Sequence, residues 1–209
     1  MLAYASDKYL YPKDFKRFVY TSQILQADAI RYGVEHFRRF RGRCMGAIYW
    51  QLNDCWPVAS WSSIDYYGRW KALHYASKRF FANVLLSAHE DGTTVTFNVS
   101  NEQRDPFRGV IKYAVRDASF DVIYDNSVDV SVDTMSSRDI ITEDFARYIK
   151  GHEEERFLEF LLLTSEGNVY SRSSLIFTKP KYFNFAEPDI SVDITGEKGR
   201  FTITVSGKS

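Results

Sequence analysis

Between positions 50 and 61, three tryptophans are interleaved with amides and a carboxylate in the run Trp50-Gln51-Leu52-Asn53-Asp54-Cys55-Trp56-Pro57-Val58-Ala59-Ser60-Trp61. An indole offers a flat apolar face, and carboxamides and carboxylates beside it offer hydrogen-bond donors and acceptors. A pyranose needs that combination, because its C–H faces stack on an aromatic plane while its hydroxyls need polar partners. The chemistry read here is recognition of a neutral sugar by these tryptophans with Asn53 and Asp54 beside them. The same residues also suit a plainer task, in which the indoles pack under a loop that Asn53 and Asp54 cap. Other chemistries lack their residues. No His, Asp, Glu or Cys set has metal-ligand spacing, no glycine-rich phosphate loop occurs, and Ser60, Ser62 and Ser63 stand outside any nucleophile-elbow context. No metal and no cofactor is implied. His36 and His74 fall on apolar helical faces, as core histidines do, while His89 and His152 read as solvent-facing.

Charge points the same way. Lys plus Arg number 27 and Asp plus Glu number 27, so no net field draws the chain to nucleic acid or an anionic membrane. Arg31, Arg38, Arg39 and Arg41 form a basic run, but at the end of a helix, where the dipole favours cations. The aromatic content of 16 Phe, 14 Tyr and 4 Trp exceeds what a core alone demands. Two cysteines, Cys44 and Cys55, make neither a disulfide framework nor a zinc site. No stretch approaches the roughly 20 apolar residues of a membrane span, and the segment from Met1 to Lys8 lacks the pattern of a signal peptide. The compartment stays open.

The elements that must position the Trp-rich segment follow from periodicity. From Pro12 to about Arg41, Phe15, Phe18, Val19, Leu25, Ala29, Tyr32, His36, Phe37 and Phe40 recur at helical spacing, with Gly42 as a C-cap. Met45 to Leu52 is a short apolar run that predicts a strand buried on both faces. A second helix is predicted from about Arg69 to Phe81. Helix, buried strand, loop, helix is the rhythm of an α/β barrel. Beyond Phe81 the pattern changes to short alternating runs separated by turns: 84–88, 93–99, 110–115, 120–124, 128–132, 157–164 and 169–178, with a brief helix over 142–150. Seven such strands fit an immunoglobulin-like sandwich. Residues 190–194 and 201–205 predict one more hairpin. Asn98-Val99-Ser100 is a glycosylation sequon, but it falls in mid-strand, which makes chance its explanation.

The run from Gly46 to Asp65, followed by Gly68-Arg69-Trp70-Lys71-Ala72-Leu73-His74-Tyr75, resembles the last barrel strand and following helix of β-mannosidases in glycoside hydrolase family 2. Tyr11-Pro12-Lys13-Asp14-Phe15 and the stretch from Gln23 to Gly33 resemble the helix that precedes that strand, so the resemblance covers residues 10–81. It implies an α/β plus all-β organisation: residues 1–81 as the C-terminal part of a (β/α)8 barrel, 82–180 as an immunoglobulin-like β-sandwich, and 181–209 as a linker and the start of a further sandwich. It also implies retaining hydrolysis of terminal β-mannosides by two glutamates about 5 Å apart. In the family these sit on earlier barrel strands, so no catalytic residue is assigned in this chain and it is expected to be inactive alone. Trp50 matches the platform beneath the sugar, and Asn53 and Asp54 follow it at the rim. Two alternatives share the observations. One is another family 2 specificity (β-galactosidase, β-glucuronidase or exo-glucosaminidase), and the other is a non-catalytic carbohydrate-binding or interaction module. A lone barrel strand also leaves backbone and aromatics uncovered, so self-association through that edge is expected.

Overall fold

The computed structural model describes residues 2–197 and 199–207. Its first layer is helical: α1 (Leu2–Lys8), α2 (Phe15–Arg39) and α3 (Ala72–Phe80). The long helix begins three residues later than Pro12. Asp14 is the N-cap, and its carboxylate accepts the backbone N–H of Arg17 at 2.8 Å, closing one of the donors a helix start leaves unpaired. At the other end Gly42 takes φ +98°, which turns the chain out of the helix. Helices α2 and α3 pack through Ala27, Val34, Leu73, Ala76 and Phe80, all buried. Arg38 seals the pair: its Nη1 donates to the carbonyls of Phe80 and Ala82, each at 2.7 Å, so a cation from α2 closes the C-terminal end of α3. Arg41 pairs with Glu102, and Arg31 lies 3.6 Å from Glu35. Most of the basic run is thus engaged within the chain. No helix among the described residues is long and apolar enough to cross a membrane.

The strand expected over Met45–Leu52 does not form; the segment is irregular. A strand exists only where neighbours take its N–H and C=O groups, and here only single bridges occur, Asn53 with Ile64 and Ile64 with Trp70. Its apolar side chains stand out accordingly, with Ile48 fully exposed and Met45 at 69%. No barrel sheet is present among the described residues.

The second layer is a sandwich of seven antiparallel strands: β1 (Val84–Asp91), β2 (Thr94–Asn101), β3 (Phe107–Asp117), β4 (Val122–Val132), β5 (Ser136–Asp144), β6 (Arg156–Thr164) and β7 (Val169–Ile176). Strands β1-β2-β5 form one sheet and β4-β3-β6-β7 the other. Alternation builds the core: Val95, Phe97 and Val99 of β2 face Ile111, Tyr113 and Val115 of β3 and Leu158, Phe160 and Leu162 of β6. Each such side chain contributes about 1.5–3 kcal/mol by leaving water. The Phe97 ring lies 5.0 Å from Tyr113 and 5.4 Å from Phe160.

Seven strands were expected, but two of the expected runs are one strand and another strand was unforeseen. Runs 120–124 and 128–132 both belong to β4, because Asp125-Asn126-Ser127 reads as a turn yet is the solvent-facing middle of an edge strand. Residues 136–144 form β5, and the helix expected over 142–150 shrinks to α4 (Ala146–Ile149). Asp144 ends the strand, accepting from the Thr93 hydroxyl at 2.7 Å and the Ala146 N–H at 2.9 Å. Within β2, Asn98 is buried and its Nδ2 donates to Asp139 at 2.8 Å, so the sequon's amide is engaged inside the fold.

Besides the Arg41–Glu102 pair, two further sets of contacts tie the layers together. Ser100 of β2 donates to the Arg38 carbonyl at 3.2 Å. After β7, Lys179 reaches Asp7 at 2.7 Å and Lys181 donates to the Ser6 carbonyl at 3.0 Å, strapping the chain back over α1. A final hairpin, β8 (Ile190–Glu197) with β9 (Arg200–Gly207), pairs Val192 with Val205 and Ile194 with Ile203, which gives it one apolar face.

Candidate functional site

The segment from Tyr49 to Asp54 is held between a loop (55–63) and the start of α3. Its side chains divide by role. Tyr49 points inward: its hydroxyl lies 3.0 Å from Ser63 Oγ, and its ring stacks 6.3 Å from Phe81. Trp50 points outward, 74% exposed, and the Trp50–Gln51 peptide is cis. Gln51 Nε2 donates to the Asn53 carbonyl at 3.1 Å, and the exposed Asn53 sends its Nδ2 only to the Asp54 carbonyl, at 3.3 Å. The platform and one rim amide are therefore open to a ligand from the same short segment.

Asp54 differs. It is 6% exposed, and its carboxylate accepts from Ser60 Oγ, from Ser62 Oγ at 2.7 Å and from Lys71 Nζ at 3.3 Å. The two serine hydroxyls, and then Lys71, outweigh burial and hold its carboxyl below the usual range. Asp65 is equally committed, to the Tyr67 and Arg69 N–H groups at 2.9 Å and to Arg69 Nε at 2.6 Å. Burial alone would raise its pKa, but the Arg69 contacts prevail and lower it. Both carboxylates are ionised at neutral pH and saturated with donors. Neither has the character of a protonated general acid.

Ser63 and His74 raise a different possibility, since Ser63 Oγ lies 3.0 Å from His74 Nδ1. Ser63 is fully buried, so no substrate carbonyl reaches it. His74 packs edge-on against Trp70 at 4.4 Å, in the partly buried setting expected of it. His36 does not: it is exposed on α2, with its ring against Phe40 at 4.6 Å. An Asn-Glu pair occurs at 101–102, but Asn101 is buried with Nδ2 donating to the Asp105 carbonyl at 2.9 Å, and Glu102 pairs with Arg41. No group of three or more potential metal ligands occurs among the described residues. Trp56 and Trp61, 66% and 67% exposed, ride on the loop, and Gln26 of α2 donates to the Trp61 carbonyl at 2.8 Å.

Residues 93–182 match the family described as Mannosidase Ig/CBM-like domain. Over 101 residues the chain is 42% identical to β-mannosidase of Mus musculus, a stretch that covers 44% of this chain and 12% of that protein. β-Mannosidase A of Neosartorya fischeri is 26% identical over 213 residues, 93% of this chain and 23% of that one. The crystal structure of β-D-mannosidase from Dictyoglomus thermophilum superposes with a TM-score of 0.86 over 99% of this chain and 25% of that chain, at 22% identity.

The chain resembles β-mannosidases along nearly its whole length.

It spans a quarter or less of the length of these relatives. The structural likeness extends over both the helical layer and the sandwich, so the arrangement that presents the Trp-rich segment is a fold shared with a β-mannosidase. In this candidate site, sequence reasoning missed Lys71, Ser60, Ser62 and Ser63 as the partners that fix the segment. The one signal for them was a lysine at the N-cap of α3 following a loop with three serines in four residues.

Proposed function

We propose that this chain carries the sugar platform of a retaining exo-β-mannosidase acting on terminal non-reducing β-D-mannose. Residues 1–81 are the closing portion of its (β/α)8 barrel, 82–180 its immunoglobulin-like sandwich, and 181–209 the linker and opening of a further sandwich. The observation that carries this reading is Trp50, an exposed indole on a segment anchored on its inner side, with the exposed amide of Asn53 beside it. A β-mannoside presents a C–H face to such a plane and hydroxyls to such an amide. Asp54 serves the site from beneath.

The catalytic pair lies outside these residues in this reading. Retention needs two carboxyl groups about 5 Å apart, one of them proton-bearing. Asp54 and Asp65, the two acids between Trp50 and the start of α3, each hold a cation and two or more neutral donors instead. The uncovered apolar side chains of Met45, Ile48 and Leu52 support a place for this segment within a larger sheet. The expected outcome is that the purified chain releases no chromophore from an aryl β-mannoside. Steady turnover by the chain freed of contaminating glycosidase would place the catalytic carboxylates in this chain and overturn the assignment.

A further inference from the structure

We infer that Lys71 and His74, at the start of α3, are positioning residues for the sugar platform, acting through two serine-centred hubs that fix Trp50 and Asn53 from behind. The inference rests on the platform reading above and deepens it.

The first hub is an ion pair withdrawn from water. The side chains of Asp54 and Lys71 are 2% and 12% exposed. Lys71 Nζ has Ser62 Oγ at 2.7 Å, Asp54 Oδ2 at 3.3 Å and Ser60 Oγ at 3.4 Å, one acceptor for each of its three N–H groups. A buried pair is weak evidence for stability, because desolvation offsets the attraction. What a saturated pair does supply is a single geometry, here between the end of the Trp50 segment, the loop that carries Trp56 and Trp61, and α3. Backbone bonds reinforce it, from Asp54 N–H to the Ile64 carbonyl at 3.1 Å and from Lys71 N–H to the Ser63 carbonyl at 2.9 Å.

The second hub is Ser63. Its fully buried Oγ lies 3.0 Å from each of Tyr49 OH, the Leu52 carbonyl and His74 Nδ1. Tyr49 and Leu52 bracket Trp50 and Gln51, so the hub clamps the two residues that flank the platform peptide. Lys71 is the N-cap of α3 and His74 lies in its first turn, so both hubs are held from one end of the helix. The result is a rigid back plate. Inward contacts at 49, 52 and 54 leave the side chains of Trp50 and Asn53 outward, their direction fixed before a ligand arrives. Such pre-ordering contributes to affinity by lowering the ordering cost of binding.

The test uses the whole 209-residue chain with Lys71→Met, Lys71→Arg and Ser62→Ala. Three readouts apply: the indole N–H resonances, titration with methyl β-D-mannoside, and the amide resonances of the sandwich core at Phe97 and Leu158. Lys71→Met should move the Trp50, Trp56 and Trp61 resonances and weaken mannoside binding about tenfold or more, while the sandwich resonances stay. Lys71→Arg should restore binding to within about threefold, and Ser62→Ala, which keeps both charges, should fall between. Lys71→Met binding the sugar within about twofold of wild type, with indole resonances unmoved, overturns the inference. If Lys71→Met does not fold, Ser62→Ala decides by the same two readouts. A wild-type chain that binds no mannoside sinks the platform reading, and the positioning inference is then decided by the indoles alone. Movement in Lys71→Met with recovery in Lys71→Arg upholds it, and unmoved resonances overturn it.

Discussion

Replacing Arg38 by methionine should loosen α2 from α3 while sparing the sandwich. The Arg38 guanidinium donates two charge-assisted hydrogen bonds, to the Phe80 and Ala82 carbonyls at 2.7 Å each. Bonds of this kind contribute about 1.5–3 kcal/mol apiece, or roughly 4 kcal/mol for the pair. Against that stands burial. Nε and Nη2 are buried without a partner, and burial pushes the group below its ordinary pKa. Two such N–H sites offset about 2 kcal/mol. Methionine keeps much of the apolar stem and relieves the unpaired donors, but it leaves the end of α3 open, so the net loss is about 2 kcal/mol. All four tryptophans, at 50, 56, 61 and 70, lie between α2 and α3 and none lies in the sandwich, so urea unfolding followed by tryptophan fluorescence reports the helical part. Far-ultraviolet dichroism reports the strands alongside it. The expected result is a fluorescence midpoint that moves by about 2 kcal/mol, ahead of the dichroism transition. A shift below about 0.5 kcal/mol would refute the claim that Arg38 closes α3.

Gly109→Ala should destabilise the sandwich by about 1–3 kcal/mol through overpacking, since a Cβ there would stand 2.1 Å from the Leu163 carbonyl oxygen, a backbone atom of paired strand β6. Thermal melting followed by dichroism measures it, and an unchanged melting temperature would show that β3 and β6 part easily. Asp54 has a carboxyl held below its unfolded value of about 3.9 by Ser60 and Ser62, then Lys71. Its contribution is therefore present above pH about 4 and is lost as pH falls through the lower folded value. Fluorescence-detected melting should be level between pH about 5 and 7 and decline below about 4, and Asp54→Asn should flatten part of that decline. A decline that is identical in the variant would show that Asp54 is not held as described.

What was legible in the sequence follows how strongly one face of each element is buried. The amphipathic α2 and the strands β2, β3 and β6, which alternate large apolar side chains into one core, were readable within a few residues. Of the edge strands, β1 and β7 were also readable but β4 and β5 were not. β5 has Ser136-Ser137-Arg138-Asp139 as its first half, with no apolar residue to set a period, and β4 is broken in the reading by an exposed polar centre. The run Met45–Leu52 was misread in the opposite sense. Its composition is that of a strand buried on both faces, but strand structure depends on neighbours that a local pattern does not supply. At the candidate site, Trp50 and Asn53 are exposed, as a ligand-facing role requires of them. The standing of Asp54 was not legible, because a rim ligand and a buried anchor have the same one-letter code. Only its partners, 6, 8 and 17 residues away, distinguish the two.

The central claim is that the exposed face of Trp50 is a sugar platform. Calorimetric titration of the chain and of Trp50→Ala with methyl β-D-mannoside tests it most directly. The account predicts weak, saturable binding to the chain and none to the variant. Equal binding by both, or no binding by either, would contradict it.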